Sequence, residues 1–389
     1  MNSQERHAAR RARRDAKRAR NQAKRLEGAT LAAAADLDAL YDAAVGAAKG
    51  VRWKASVQRY MLHVFRNILH ARRDLLEGND VRKGFVRFTV IERGKPRSIA
   101  APRFSERVIQ KSVTRNVLNP AIWPTLTPGC AANMRGRGTD YALMRLKCQL
   151  ADHFRRHGPE GYIALMDFAD YFGTICHIAA MSLVSRNLAD PAATDFMGLQ
   201  IESNGDIGLG LGSEPNQTVA VALPTPIDRL AERWPGIEAS GRYMDDSYFI
   251  STDKAALHAF LAEARRECAK LGITINERKT HVVKLTKGFT FMKKRFRYSE
   301  TGKVIVTPVP RSVSRARVRM RKHAYMVAAG DMTVEQARAS YLSFRGSLEK
   351  RRGDGKPRFR MDVHNLVRSL DRLFFELFGE PCQQRKETA

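Results

Sequence analysis

Two adjacent carboxylates, Asp245 and Asp246, lie in the stretch GRYMDDSYFIST, residues 241–252, between Tyr243-Met244 and the apolar run Tyr248–Ile250. Neighbouring carboxylates repel one another and resist desolvation unless a cation holds them. A third acid, Asp167, closes the apolar run Ile163-Ala164-Leu165-Met166. Acids at strand ends of a mixed α/β core can converge on one side of a sheet, where two divalent cations bridge them. Such a set suits nucleotidyl transfer: one ion activates an attacking 3′-hydroxyl and the other neutralises a triphosphate and its departing pyrophosphate. An aspartate pair alone is more often a turn. The weight therefore rests on what surrounds it.

The chain that must position these acids has 389 residues, enough for two or three modules, with an ordinary 43% hydrophobic content. Its charge is not ordinary: 68 Lys and Arg against 40 Asp and Glu leave a net +28. That excess points to a polyanionic partner, nucleic acid before membrane surface, since no run of 18 apolar residues occurs. The Arg-rich N-terminus lacks a following apolar stretch and does not read as a secretory signal. Cys130, Cys148, Cys176, Cys268 and Cys382 are scattered, without a CxxC pair or a nearby Cys/His cluster. That pattern argues against a disulfide framework or zinc site and for a reducing, cytoplasmic interior.

Residues 1–26 hold ten Arg or Lys and two acids and read as a mobile or conditionally helical arm. Helices are expected over 31–48 and 51–76, the second burying Trp53, Val57, Tyr60, Met61, Val64, Phe65 and Leu69. Residues 81–101 change to strand period around a turn at Gly94-Lys95-Pro96, beside Arg93 and Arg97. A helix over 105–117 should start on Ser105 as N-cap, and another covers 141–156. After the strand ending at Asp167 come a helix from about His177, a glycine-rich loop at 206–212 and a helix over 216–231. Strands flank Asp245 and Asp246, a helix over 254–271 stops at Gly272, and 273–287 returns to strand. A small hairpin turns around 300–302, and the chain beyond Arg311 is helical and basic.

The order of further motifs is more specific than any one of them. Asp167-Phe168-Ala169-Asp170-Tyr171-Phe172 comes first, then Gly210-Leu211-Gly212 leading to Asn216-Gln217, then the acidic pair. Leu271-Gly272-Ile273-Thr274-Ile275-Asn276-Glu277-Arg278-Lys279-Thr280 and Gly288-Phe289-Thr290-Phe291-Met292 follow. From about Val81 to its end the chain resembles bacterial retroelement reverse transcriptases. The resemblance implies an α+β right-hand polymerase fold. Its expected parts are a basic arm and Ala-rich helix at 1–50, fingers and palm at 51–300 and a helical basic thumb at 301–389.

Carried over position by position, the resemblance makes Asp167, Asp245 and Asp246 the acidic catalytic residues. With the carbonyl of Phe168 they would hold two Mg²⁺ ions, Mn²⁺ serving as a substitute. Phe172 falls where such enzymes place an aromatic gate that crowds a ribose 2′-hydroxyl and selects deoxynucleotides; otherwise it is a core aromatic. Asp170 and Tyr171 line the same triphosphate segment, through their backbone amides. Lys95 and Arg97 match the fingers cations that grip the triphosphate, the planar guanidinium being the better phosphate ligand. Lys279 matches a lysine that protonates pyrophosphate, and residues 288–292 match a primer grip. Arg311, Arg315, Arg317, Arg319, Arg321 and Lys322 would track a template–primer backbone; six phosphate contacts give a salt slope of about −5.

One loop departs from the common pattern. Where many relatives read Gln-Gly with Ser-Pro, this chain reads Leu211-Gly212 with Asn216-Gln217. Leu and the final Gln resemble polymerases of diversity-generating retroelements, which copy a template RNA with errors at adenines and work with a small basic oligomeric accessory protein. Asn216 differs from their usual Ser. Leu211 cannot hydrogen-bond to the nascent pair as Gln would, which predicts looser selection. An antiphage-defence, orphan or group II-like reverse transcriptase shares the same core. From other classes, a non-catalytic nucleic-acid-binding protein on this fold and a two-metal nuclease or nucleotidyl cyclase compete. Intact acids oppose the first, and the basic thumb has no place in the second.

Overall fold

The computed structural model describes residues 3–92, 95–349 and 361–382. The chain adopts the expected α+β class, helices combined with sheets that are antiparallel throughout. The strands are β1 (Phe85–Glu92), β2 (Lys95–Pro102), β3 (Tyr162–Met166), β4 (Ala239–Tyr243), β5 (Asp246–Ser251), β6 (His281–Lys284), β7 (Phe289–Phe291), β8 (Lys294–Tyr298) and β9 (Val304–Pro308). They form a hairpin β1-β2, a sheet β4-β5-β3-β6 and a meander β7-β8-β9.

The chain divides into two interleaved compact units, one of Met1–Arg135, Asp167–Arg233 and Phe260–Glu277, the other of Gly136–Met166, Trp234–Ala259 and Arg278–Ala389. The first holds the N-terminal helices and the β1-β2 hairpin. The helix Ser3–Gly28 takes up the basic arm. The helix expected over 31–48 breaks at Asp36, whose side chain caps a new helix, Leu37–Ala48, by accepting from the N–H groups of Asp38 and Ala39. The next breaks at His63, and this resets its buried face. Val57, Val64, Ile68, Ala71 and Leu75 point inward, whereas Trp53, Phe65 and Leu69 are exposed, contrary to the simple periodicity. The helix Phe104–Val113 starts from Arg103, not Ser105. Glu92 pairs with Lys95, which leaves Lys95 and Pro96 in β2 rather than in the expected turn; Arg93 and Gly94 lie outside the described residues. The expected helix over 216–231 splits into Glu214–Ala222 and Thr225–Arg233 around Pro224.

In the second unit Leu146 and Leu150 of the helix Thr139–His157 pack with Ile163, Ile250, Phe296 and Val306 of the sheet and the meander, all under 3% exposed. Strand character over 273–287 reduces to β6 and an isolated bridge at Ile275. The last three helices, Pro310–Ala328, Val334–Leu348 and His364–Phe378, share a separate core of Met320, Tyr341, Leu370 and Phe374. Ala337, Tyr341 and Leu348 are the buried residues of the middle helix, and Phe344 packs partly buried against the same core. All five cysteines are free thiols, Cys148 exposed. No helix among the described residues is long and apolar enough to cross a membrane.

Candidate active site

The register of the four-stranded sheet decides where the acids lie. Met166 faces Ser247 across β3 and β5, and Leu165 faces His281 across β3 and β6. Asp246 therefore opens β5 at one end of this sheet, with Asp245 just before it, and Lys279 lies at that end two residues before His281. Asp167 follows Met166 at that same end of β3, by one peptide bond.

Tyr243 pairs with Asp246, so the β4–β5 loop is only Met244-Asp245. Met244 has φ +56° and Asp245 has no positive φ, as in the II′ hairpin turn. A methionine pays for that conformation where glycine would not. Arg242, 2% exposed, donates from its guanidinium to the Met244 carbonyl at 3.1 Å and holds the turn. Behind it, the Tyr248 hydroxyl donates to Gln149 Oε1 at 2.6 Å, while Gln149 Nε2 donates to the Ser240 carbonyl at 3.3 Å. One glutamine of the helix Thr139–His157 thus ties together both strands that carry the acids. Burial raises the Tyr243 phenol above its ordinary pKa, so it stays protonated beside them.

A second frame holds Asp167, which is buried. Asn276 Nδ2 donates to Asp167 Oδ2 at 3.0 Å, and the Asn276 N–H donates to the Asp167 carbonyl at 2.7 Å. The Ala169 N–H donates to the Thr274 carbonyl at 2.8 Å, and Phe168 bridges Ile275. Asn276 lies inside a motif that the sequence singled out, yet only Lys279 received a role there; Arg242 received none. An amide three residues before the lysine and an arginine inside an apolar hairpin are the signals each offered.

Beyond Asp167, the exposed Asp170 adopts φ +40°, and its carbonyl accepts from the Gly173 N–H. Tyr171 is buried, its hydroxyl donating to the Ala220 carbonyl at 2.6 Å. Its ring and hydroxyl are thus taken up inside the fold. The half-exposed Phe172 packs edge-on against Tyr171, and its carbonyl accepts from the Leu209 N–H at 2.9 Å. The glycine loop is docked on β2: the Ala100 N–H donates to the Leu211 carbonyl at 3.0 Å. Gly212, φ +134°, passes so close that a Cβ there would stand 2.4 Å from the Ala100 carbonyl oxygen. Asn216, fully buried, donates from Nδ2 to the carbonyls of Leu209 and Gln200 and so moors the loop. Gln217 is half-buried on the following helix. Lys95 and Arg97 belong to β2, but their side chains lie outside the described residues.

On the helix Pro310–Ala328, Ala316 and Met320 face inward while Arg311, Arg315, Arg319, Arg321 and Lys322 are exposed. Arg317 is half-exposed and donates to Ser369 Oγ at 3.3 Å. His323 is held below its ordinary pKa by burial and by Arg319 and Lys322. The face is dense in positive charge. The donor set at the sheet end is carboxylate oxygen, which suits a hard cation such as Mg²⁺ rather than a thiophilic one.

No protein-family model matches the chain, and no curated protein does. Among solved structures it is similar in fold to apo telomerase from Candida tropicalis, at 12% identity over 67% of this chain and 55% of that one, TM-score 0.45. A form of that telomerase truncated from its C-terminal domain aligns at 14% identity over 58% and 54%, TM-score 0.44. The chain spans about half the length of those telomerase chains. The likeness is one of fold alone.

Proposed function

We propose that this chain is an RNA-directed DNA polymerase working by nucleotidyl transfer. The observation that carries the reading is the register that sets Asp245, Asp246 and Lys279 at one end of the sheet, the end at which β3 stops one residue before Asp167. Asp167, Asp245 and Asp246, with the Phe168 carbonyl, are the groups that would hold Mg²⁺. The ion's chemistry when bound is to lower the pKa of the primer 3′-hydroxyl and to neutralise the triphosphate. Asn276 and Arg242 keep the carboxylates in place. Phe172 crowds the sugar, Lys279 donates a proton to pyrophosphate, and Lys95 and Arg97 grip the triphosphate. The basic helix from Pro310 follows the RNA/DNA hybrid. Residues 51–300 then serve as fingers and palm and 301–389 as thumb.

The test is extension of a DNA primer on heteropolymer RNA with Mg²⁺ and deoxynucleotides. The wild type should extend, and Asp245→Ala should lose at least ~10³-fold. Failure of the wild type to incorporate, with its own template RNA and accessory protein supplied, contradicts the proposal.

Within that class we assign the chain to the diversity-generating type, because Leu211 offers no side-chain hydrogen bond to the nascent pair. Leu211→Gln should then lower misincorporation opposite template adenine by roughly 10-fold. Unchanged error frequency there removes the assignment and leaves the polymerase reading intact.

A further inference from the structure

Away from the sheet end, His153 and His157 lie one turn apart on the helix Thr139–His157, and Glu238 immediately precedes β4. One donor atom from each lies within 4.8 Å of the other two. The His153 ring, 1% exposed, is caught between two acceptors: Nε2 is 2.7 Å from the Glu160 carbonyl and Nδ1 is 3.1 Å from Glu238 Oε2. A neutral imidazole has one N–H and can serve only one of them. The carbonyl can only accept, and its contact is the shorter, which places the N–H on Nε2. The Glu238 carboxylate facing Nδ1 can then be met in two ways, by a second proton on that nitrogen or by a metal cation held between the two.

Metal-bound histidine has this signature: one ring nitrogen on the ion, the other N–H donated to a backbone carbonyl. His157 Nε2 lies 3.3 Å from Glu238 Oε1. A tetrahedral ion with bonds of ~2.0–2.1 Å sets neighbouring donors about 3.3 Å apart; the two histidines stand at such distances from different oxygens of Glu238, so a turn of that carboxylate would bring one oxygen to the ion. Arg156 reaches Glu238 Oε2 at 3.2 Å and orients that carboxylate from outside. The backbone is shaped to the ring as well: at Gly161, φ +138°, a Cβ would stand 2.5 Å from His153 Nε2.

We propose that His153, His157 and Glu238 form a binding site for a divalent transition metal of the zinc class. Two imidazoles and a carboxylate suit a borderline ion and not Mg²⁺. Zinc hydrolases with two histidines so spaced carry a glutamate after the first. Here Phe154 occupies that position and packs on Tyr298 at 5.0 Å. The site is structural, joining the helix Thr139–His157 to the base of β4. The Glu238 N–H donates to the Ile250 carbonyl at 2.9 Å, so the ion would brace the hairpin that ends in Met244-Asp245 from its far end.

The test uses the full-length chain, stripped by chelator, dialysed against Zn²⁺ and desalted. About one zinc per chain should remain in the wild type and in Asp245→Asn, which separates this site from the sheet-end carboxylates. His157→Ala and Glu238→Gln should weaken Zn²⁺ binding by ~100-fold or more while keeping the wild-type circular dichroism. With Co²⁺ as probe, strong visible bands of tetrahedral coordination should appear in the wild type and vanish in His157→Ala. Absence of retained zinc, retention unchanged in both ligand variants, or loss in Asp245→Asn overturns the proposal.

Discussion

Two hairpins of the second unit solve the same backbone problem to different ends. β4–β5 and β7–β8 each close with two loop residues, and in each the first is a methionine at positive φ, Met244 at +56° and Met292 at +46°. In the second loop Lys293 is also positive, at +61°, the I′ pattern that matches strand twist. In the first, the next residue is an acid, and a buried Arg242 fastens the Met244 carbonyl. The hairpins even touch, Tyr248 meeting Phe291 edge-on at 5.1 Å. One turn is fastened by a buried guanidinium; the other closes with both loop residues at positive φ. Strain kept at a fastened turn is a mark of function.

The largest contrast should come from the residues after the methionines. Asp245→Asn is expected to lose ~10³-fold or more in primer extension with little change in melting temperature, and Lys293→Ala less than ~10-fold. Comparable losses would erase the distinction between the turns. Arg242→Met should destabilise the fold by roughly 2–4 kcal/mol in a denaturant titration and reduce activity with it, because buried hydrogen-bonded groups lose their partner. Replacing Lys293, one residue beyond the segment that matches a primer grip, by Gly should raise stability by about 1 kcal/mol and leave extension unchanged. Met244→Gly should relax its own turn similarly but slow extension; a variant both more stable and fully active would show that strain at Met244 serves nothing.

The smallest effect lies outside both hairpins. Burial, then the hydrogen bond to Asp371, pushes the Cys382 thiol up from 9.0 to about 11, and burial takes the Tyr60 phenol from 10.0 to about 12. Both folded-state values exceed the unfolded ones, so their stabilisation is complete at neutral pH and is lost as pH rises through the folded values. Melting temperature should fall between about pH 9 and 12, and Cys382→Ala should flatten the lower part of that fall.

What the sequence made legible follows from range. The Asp245-Asp246 hairpin, β3 ending at Asp167 and the docked glycine loop are written in short runs of apolar residues, acids and glycines. The breaks at Asp36 and His63 are not, because a single cap or an irregular residue resets helical phase without altering composition; Trp53, Phe65 and Leu69 were placed inward for that reason. Arg242, Asn276 and Glu238 escaped because their partners stand across a turn or a strand pair, and His153 meets Glu238 only after β4 and the helix Thr139–His157 are packed. Burial of Tyr171 was equally invisible, since an aromatic in a ligand-facing motif reads the same whether its ring faces solvent or core.

Nucleotidyl transfer as proposed requires Asp167, Asp245 and Asp246 to hold the same divalent cation. Replacing Mg²⁺ by Fe²⁺ and adding ascorbate with peroxide generates hydroxyl radicals at the bound ion, and mapping the backbone cuts reads which segments surround it. Cuts near residues 167–168 and 244–246 are expected together, suppressed together by excess Mg²⁺ and by Asp245→Ala. Cleavage at one segment only, or persistence of the 167–168 cut in Asp245→Ala, would contradict it.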